Sequence, residues 1–117
     1  MSYLANVLTA LVALAHAGFL VLEMFFWDHP VGRKIFSMTP EVSASSAVLA
    51  RNQGLYNGFL VAGLVWGLVA DLTDVQVFFL LCVIVAGAYG AATVSRRILL
   101  VQALPAAVAL VAVLIAN

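Results

Sequence analysis

The sequence predicts an all-α protein, a four-helix transmembrane bundle with up-down topology, built as one domain over residues 1–117. Three observations predict it. Hydrophobic residues make up 66% of the chain and charged residues 9%; a soluble domain has about half and about one quarter. The apolar residues gather in runs near the length a bilayer core demands, about 20 residues. The basic residues fall in two places only. This composition excludes a disordered chain. Five Lys+Arg against five Asp+Glu also exclude a basic nucleic-acid binder. No run shows the period-2 alternation of a transmembrane barrel strand.

The first span is read at residues 3–27, with Trp27 at the membrane interface. Ala13-Leu14-Ala15 and Ala15-His16-Ala17 look like signal-peptide cleavage sites. However, no Lys or Arg precedes the run and apolar residues continue past His16, so the span is expected to be retained. Pro30 and Gly32 are expected to stop this helix within a long connection, residues 28–47. Thr39-Pro40-Glu41 has the form of a helix start: a capping hydroxyl, proline at the first position, an acid in the first turn. The second helix is therefore expected to begin near Pro40 and run to about Ala70, with residues 48–70 in the membrane. At about 1.5 Å per residue it would measure about 45 Å. The turn Asp71-Leu72-Thr73-Asp74 leads to a third span, residues 75–94. Ser95-Arg96-Arg97 leads to a fourth, residues 98–116, which Pro105 is expected to bend. Tight links make antiparallel neighbours.

Charge sets the orientation. Arg33, Lys34 and Arg51 belong to the first connection or its edge, and Arg96 and Arg97 form the third. The positive-inside rule places both connections in the cytoplasm and both termini on the other side. Two basic sites separated by an even number of crossings agree with four spans. The basic side also faces the anionic headgroups of the bilayer.

Polar side chains inside the membrane are costly and carry the functional signal. Thr9, His16 and Glu23 recur every seven residues on one face of the first helix. Asn52, Gln53, Tyr56 and Asn57 span an arc of about 140° on the second, with Gly54 and Gly58 opposite. Tyr89 stands on the third and Gln102 on the fourth. Glu23 is expected about 6 Å inside the cytoplasmic end of its helix, and Gln53, Asn57, Tyr89 and Gln102 within about 10 Å of that side. His16 reaches the midplane. A polar pocket opening to the cytoplasm follows. Each residue also has a structural alternative. Glu23 could pair with Arg51, His16 could bond a neighbouring carbonyl, and the amides could be interhelical glue. Cys82 is alone, which excludes an intrachain disulfide, and no His or Cys spacing suits a metal. No metal and no cofactor are expected. Small-residue faces at Ala13/Ala17, Gly63/Gly67 and Gly87/Ala91 invite close helix approach and a homo-oligomer.

The strings Glu23-Met24-Phe25-Phe26-Trp27, Gly32-Arg33-Lys34 and Asn52-Gln53-Gly54-Leu55-Tyr56-Asn57-Gly58 resemble a small bacterial membrane family. So do Ala86-Gly87-Ala88-Tyr89-Gly90-Ala91 and Val101-Gln102-Ala103-Leu104-Pro105-Ala106. That family is domain of unknown function 1304. The resemblance covers nearly the whole chain. It implies a four-span fold in the bacterial inner membrane and marks Glu23, Asn52, Gln53, Asn57, Tyr89 and Gln102 as signature positions. It implies no settled activity.

The expected function is binding or movement of a small amphipathic molecule or lipid, with Glu23 and His16 as proton-sensitive groups and the amides as hydrogen-bonding groups. One alternative is an isomerase-like membrane enzyme with Glu23 or His16 as base and Tyr89 as acid. Another is a non-catalytic subunit of a larger membrane complex.

Overall fold

A computed structural model describes residues 2–117 of the chain. All its regular structure is helical: α1 (Tyr3–Phe25), α2 (Pro30–Ile35), α3 (Pro40–Val69), α4 (Thr73–Thr93) and α5 (Leu104–Ala116), the last entered through a π-helical turn over Leu99–Ala103.

The helix ends follow from local chemistry. Ser2 Oγ accepts the Ala5 amide at 3.2 Å and caps α1. Thr39 Oγ1 accepts the Val42 amide at 3.2 Å, the cap expected for α3. Two helices close with bonds from the following residues back into the last turn. At the end of α3, the Leu72 amide donates to Gly67 (2.9 Å) and the Asp71 amide to Leu68 (3.4 Å). Asp71 then takes the left-handed backbone, φ 55°. Ser37 does the same after α2, φ 53°, as the Met38 amide reaches the Arg33 carbonyl at 2.9 Å. The disturbance expected at Pro105 takes the form of the π-turn. Proline has no amide hydrogen, and one residue earlier the Leu104 amide reaches back five residues to the Leu99 carbonyl.

The first connection differs from expectation. α1 ends at Phe25, before Trp27, so Pro30 and Gly32 do not stop it. Pro30 instead starts α2, where a fixed φ and a missing donor suit the first turn. His29 Nδ1 caps this short helix by accepting the Val31 amide at 3.1 Å. The stretch read as loop 28–47 thus contains α2 and the first two turns of α3.

Three stretches are long and apolar enough to cross a membrane: Tyr3–Phe25, Thr73–Thr93 and Leu99–Ala116. α3 has the length, 30 residues, but is not among them. Arg51, Asn52, Gln53 and Asn57 interrupt its apolar run.

The chain forms two compact units. One comprises the chain to Leu14 together with Leu60–Asn117; the other is Ala15–Phe59. The first has an apolar cluster at its core, Ala5, Val12 and Ala13 from α1, Leu64 from α3, Leu80 and Val83 from α4, and Ala106, Ala109 and Val113 from α5, with Thr9 and Gln76 as buried polar residues of the same unit. Its small residues are used inside the chain. A Cβ at Gly87 would stand 2.7 Å from the Ala103 backbone nitrogen, and one at Gly67 would stand 2.7 Å from Gln76 Cγ. The Phe79 ring lies over Gly63. These glycines therefore bring helices of one chain together and leave the oligomer without the support drawn from them. At one end of this unit Thr73 Oγ1 donates to Asn117 Oδ1 at 3.0 Å.

The second unit holds the end of α1, α2 and the start of α3. Its helices run antiparallel in a readable register. Leu20 lies beside Gly58, Met24 and Glu23 beside Gly54, and Trp27 Nε1 donates to Ser46 Oγ at 2.9 Å. Asp28 joins the rest. It accepts from Ser43 Oγ at 2.8 Å and from Arg33 Nη1 at 2.9 Å.

Candidate functional site

The face of α1 expected from the seven-residue spacing is the buried one. Thr9 is fully buried, His16 is 2% exposed and Glu23 is half-buried. The His16 ring meets Phe19 edge-on, with centroids 5.0 Å apart. On α3 the buried stripe runs through Ser43, Ala50, Gly54 and Asn57. Steps of seven, four and three keep these residues on one side of a helix.

Glu23 and Asn57 meet where the two stripes cross. Asn57, 3% exposed, donates its side-chain amide to the Glu23 carboxyl. Gly54, one turn earlier, makes the approach possible, because a Cβ there would strike the Met24 side chain and crowd Glu23 Cβ at 3.3 Å. Asn57 and Gly54 therefore share a face, and the expected opposition between the amides and the glycines does not hold for Asn57. The reason is angular: Asn57 sits at the edge of the polar arc, about 60° from Gly54.

The rest of that arc points elsewhere. Asn52, Gln53 and Tyr56 are exposed, and Asn52 Nδ2 donates to the Val48 carbonyl of its own helix at 3.1 Å. The Tyr56 ring packs edge-on to Phe59 at 5.7 Å. Arg51 is exposed as well, and among the described residues the ion pair seen is Arg33 with Asp28, not Arg51 with Glu23. Arg51 and Asn57 are about 120° apart around α3, so only one of them can face Glu23. The amide does.

Tyr89 and Gln102 belong to the other unit. Tyr89 is 72% exposed and lines an open groove of about 590 Å³ on α4 with Phe78, Leu81, Cys82, Val85 and Ala86, which carries none of the candidate amides. Gln102 is half-buried within the π-turn. No group of three His, Cys, Asp or Glu among the described residues could hold a metal ion.

Two polar arrangements escaped sequence reasoning. Gln76 is 3% exposed and donates Nε2 to the Gly67 carbonyl at 3.0 Å, tying α4 to the end of α3. An amide one turn after a tight link, inside an otherwise apolar run, is the signal that could have found it. The serines of α3 were also passed over. Ser43, like Asn57, lies a multiple of seven residues from Ala50, which places all three on one stripe.

These features define a class: an all-helical protein with helices apolar enough for a bilayer and one buried carboxyl–amide pair. The chain belongs to the family described as "Protein of unknown function (DUF1304)", whose model matches residues 10–114. It is similar to the uncharacterized protein YpaA of Lactococcus lactis subsp. lactis (strain IL1403), 30% identical over 106 residues, which cover 87% of this chain and 89% of the relative. No solved structure matches it.

Proposed function

We propose that the chain is a multi-pass protein of the bacterial cytoplasmic membrane that binds or moves a small amphipathic molecule or lipid, with Glu23 and Asn57 seating its polar end. The observation that carries this reading is the Glu23–Asn57 pair, a carboxyl held by an amide with no cation bonded to it among the described residues. Magnitudes favour function over stability. Glu23 lies two residues from the end of α1, where an ionised acid costs less than the about 2.5–3.5 kcal/mol of a membrane-helix centre but still makes no apolar contact. A hydrogen bond between membrane helices returns about 0.6 kcal/mol, at most about 1.7. A leucine–alanine contact would hold the two helices as well, so the acid is retained for what it binds.

Four crossings are part of the proposal, with α3 as the second. Leu64 of α3 supports it, since it is fully buried in the same apolar core as residues of α1, α4 and α5. The basic residues support the orientation with both termini outside. A cysteine at Ser45 is then protected from an impermeant thiol reagent added outside, whereas cysteines at Thr73 or Asn117 are labelled. Labelling at Ser45 alone inverts the orientation. A homo-oligomer also belongs here, and the exposed Asn52, Gln53 and Tyr56 give it a polar seam.

Native mass spectrometry of protein extracted with its own membrane lipid tests the function. The wild type is expected to retain a bound amphiphile that Glu23→Gln and Asn57→Leu lose while remaining folded. A wild-type protein with no retained adduct overturns the proposal.

A further inference from the structure

The segment after α1 is folded, amphipathic and uncovered. At about 100° per residue, Val31, Gly32, Ile35 and the capping Phe36 fall on one side of α2, and Arg33 and Lys34 on the other. Gly32 is pressed against the carbonyls of Phe26 and Trp27, where no Cβ could fit. The rest of that side stays open: Val31 is 46% exposed, Ile35 48% and Phe36 40%. Phe25 of α1 adds a further ring, 68% exposed. A six-residue helix has too few bonds to form unaided. This one is held by the His29 cap, by the Asp28–Arg33 pair and by a tilted ring contact of Phe36 with Trp27, with centroids 4.8 Å apart.

We propose that α2 lies in the plane of the membrane surface, its apolar edge in the acyl boundary, and that Lys34 with Arg51 binds the phosphate of an anionic phospholipid. Short amphipathic helices with basic polar faces adopt this position. Arg33 is engaged by Asp28, whereas Lys34 is exposed. The α1–α3 register sets the depth of the second cation. Met24 lies beside Gly54 and Trp27 bonds Ser46, so Arg51 falls between those levels, near the indole that marks the interface. The partner is a phospholipid and not free phosphate, because the cations adjoin an apolar edge that only an acyl chain satisfies. The proposal rests on the bilayer setting of the apolar helices, not on the Glu23 site.

The test uses the full chain carrying Trp66→Phe, which leaves Trp27 as the reporter. It is reconstituted into vesicles containing brominated phosphatidylglycerol in phosphatidylcholine, or brominated phosphatidylcholine in phosphatidylglycerol. Quenching of Trp27 is expected to favour the anionic lipid several-fold. Lys34→Gln or Arg51→Gln should each lower that preference in part, and the double variant should abolish it. Both side chains are exposed, so these variants keep the fold, which circular dichroism checks. Equal quenching by the two lipids overturns the proposal, as does selectivity that survives the double variant. Loss of selectivity in millimolar inorganic phosphate reassigns the site to a free anion and overturns it too. Selectivity persists in Glu23→Gln, so failure here and failure at the buried pair are told apart.

Discussion

The two compact units hold together by different means. The unit built from the start of α1, the end of α3, α4 and α5 has an apolar core of small and branched side chains, with Gly87 almost touching the Ala103 backbone. The unit of Ala15–Phe59 has few buried apolar side chains; side-chain hydrogen bonds join its helices, from Glu23 to Asn57, from Trp27 to Ser46 and from Asp28 to Ser43. In a bilayer, lipid tails are as apolar as leucine, so close packing and hydrogen bonds both have to supply association. The difference teaches where change is tolerated. A tightly packed backbone cannot yield, whereas a polar tie has only a modest worth and can be exchanged for a ligand.

The largest effect expected comes from glycine substitutions in the two units. Gly87→Ala puts a methyl 2.7 Å from a backbone nitrogen, which cannot move without shifting the π-turn. Loss of about 3 kcal/mol, or failure to fold, should follow. Gly54→Ala would strike Met24 Cγ and crowd Glu23 Cβ and the Leu20 carbonyl oxygen, each at 3.3 Å, but the Met24 side chain can turn aside, so the loss should be smaller, about 1–2 kcal/mol. Thermal unfolding in mild detergent compares them. Equal losses would erase the distinction between the units.

The second effect separates the two candidate partners of Glu23. A double-mutant cycle of Glu23→Leu with Asn57→Leu, each of which removes one partner of the hydrogen bond, should give a coupling of about 1 kcal/mol, the scale of an interhelical hydrogen bond. The cycle of Glu23→Gln with Arg51→Gln should be additive within about 0.5 kcal/mol. A large Glu23–Arg51 coupling would make the acid a paired structural anion and remove it from the binding role.

Much of this was legible in the sequence, and the rest was not for definable reasons. The α3 start at Thr39-Pro40-Glu41 was readable because capping is local chemistry, complete within four residues. The buried face of α1 was readable because Thr9, His16 and Glu23 repeat every seven residues among apolar neighbours. α2 was missed because proline and glycine together suggest a break, while the force that makes Pro30 a start is a His29 cap and a close approach over Trp27. The Glu23 partner was open because facing residues depend on inter-helix register, which no single-helix pattern encodes. The polar arc of α3 misled for a related reason. An arc of about 140° is wider than the contact between two helices, so Asn57 enters while Asn52 and Gln53 stay out.

The smallest expected effect tests what surrounds the second unit. Gly18 lies within α1, and a Cβ built there meets nothing within 4 Å beyond its own stretch of helix. Glycine in a helix interior is worse than alanine by about 0.8–1 kcal/mol, because the unfolded glycine chain has more freedom to lose. Gly18→Ala should therefore stabilise a lone chain by roughly that amount, even though it makes no new contact. The sign reverses if another helix packs on this spot. A second copy seated against Gly18 would meet the added methyl at close range and lose packing, giving destabilisation that depends on protein concentration. Unfolding of Gly18→Ala at two concentrations, with mass photometry alongside, distinguishes the cases. A stabilised and concentration-independent variant removes this face of α1 from any oligomer and leaves the exposed Asn52, Gln53 and Tyr56 side of α3 as the remaining seam.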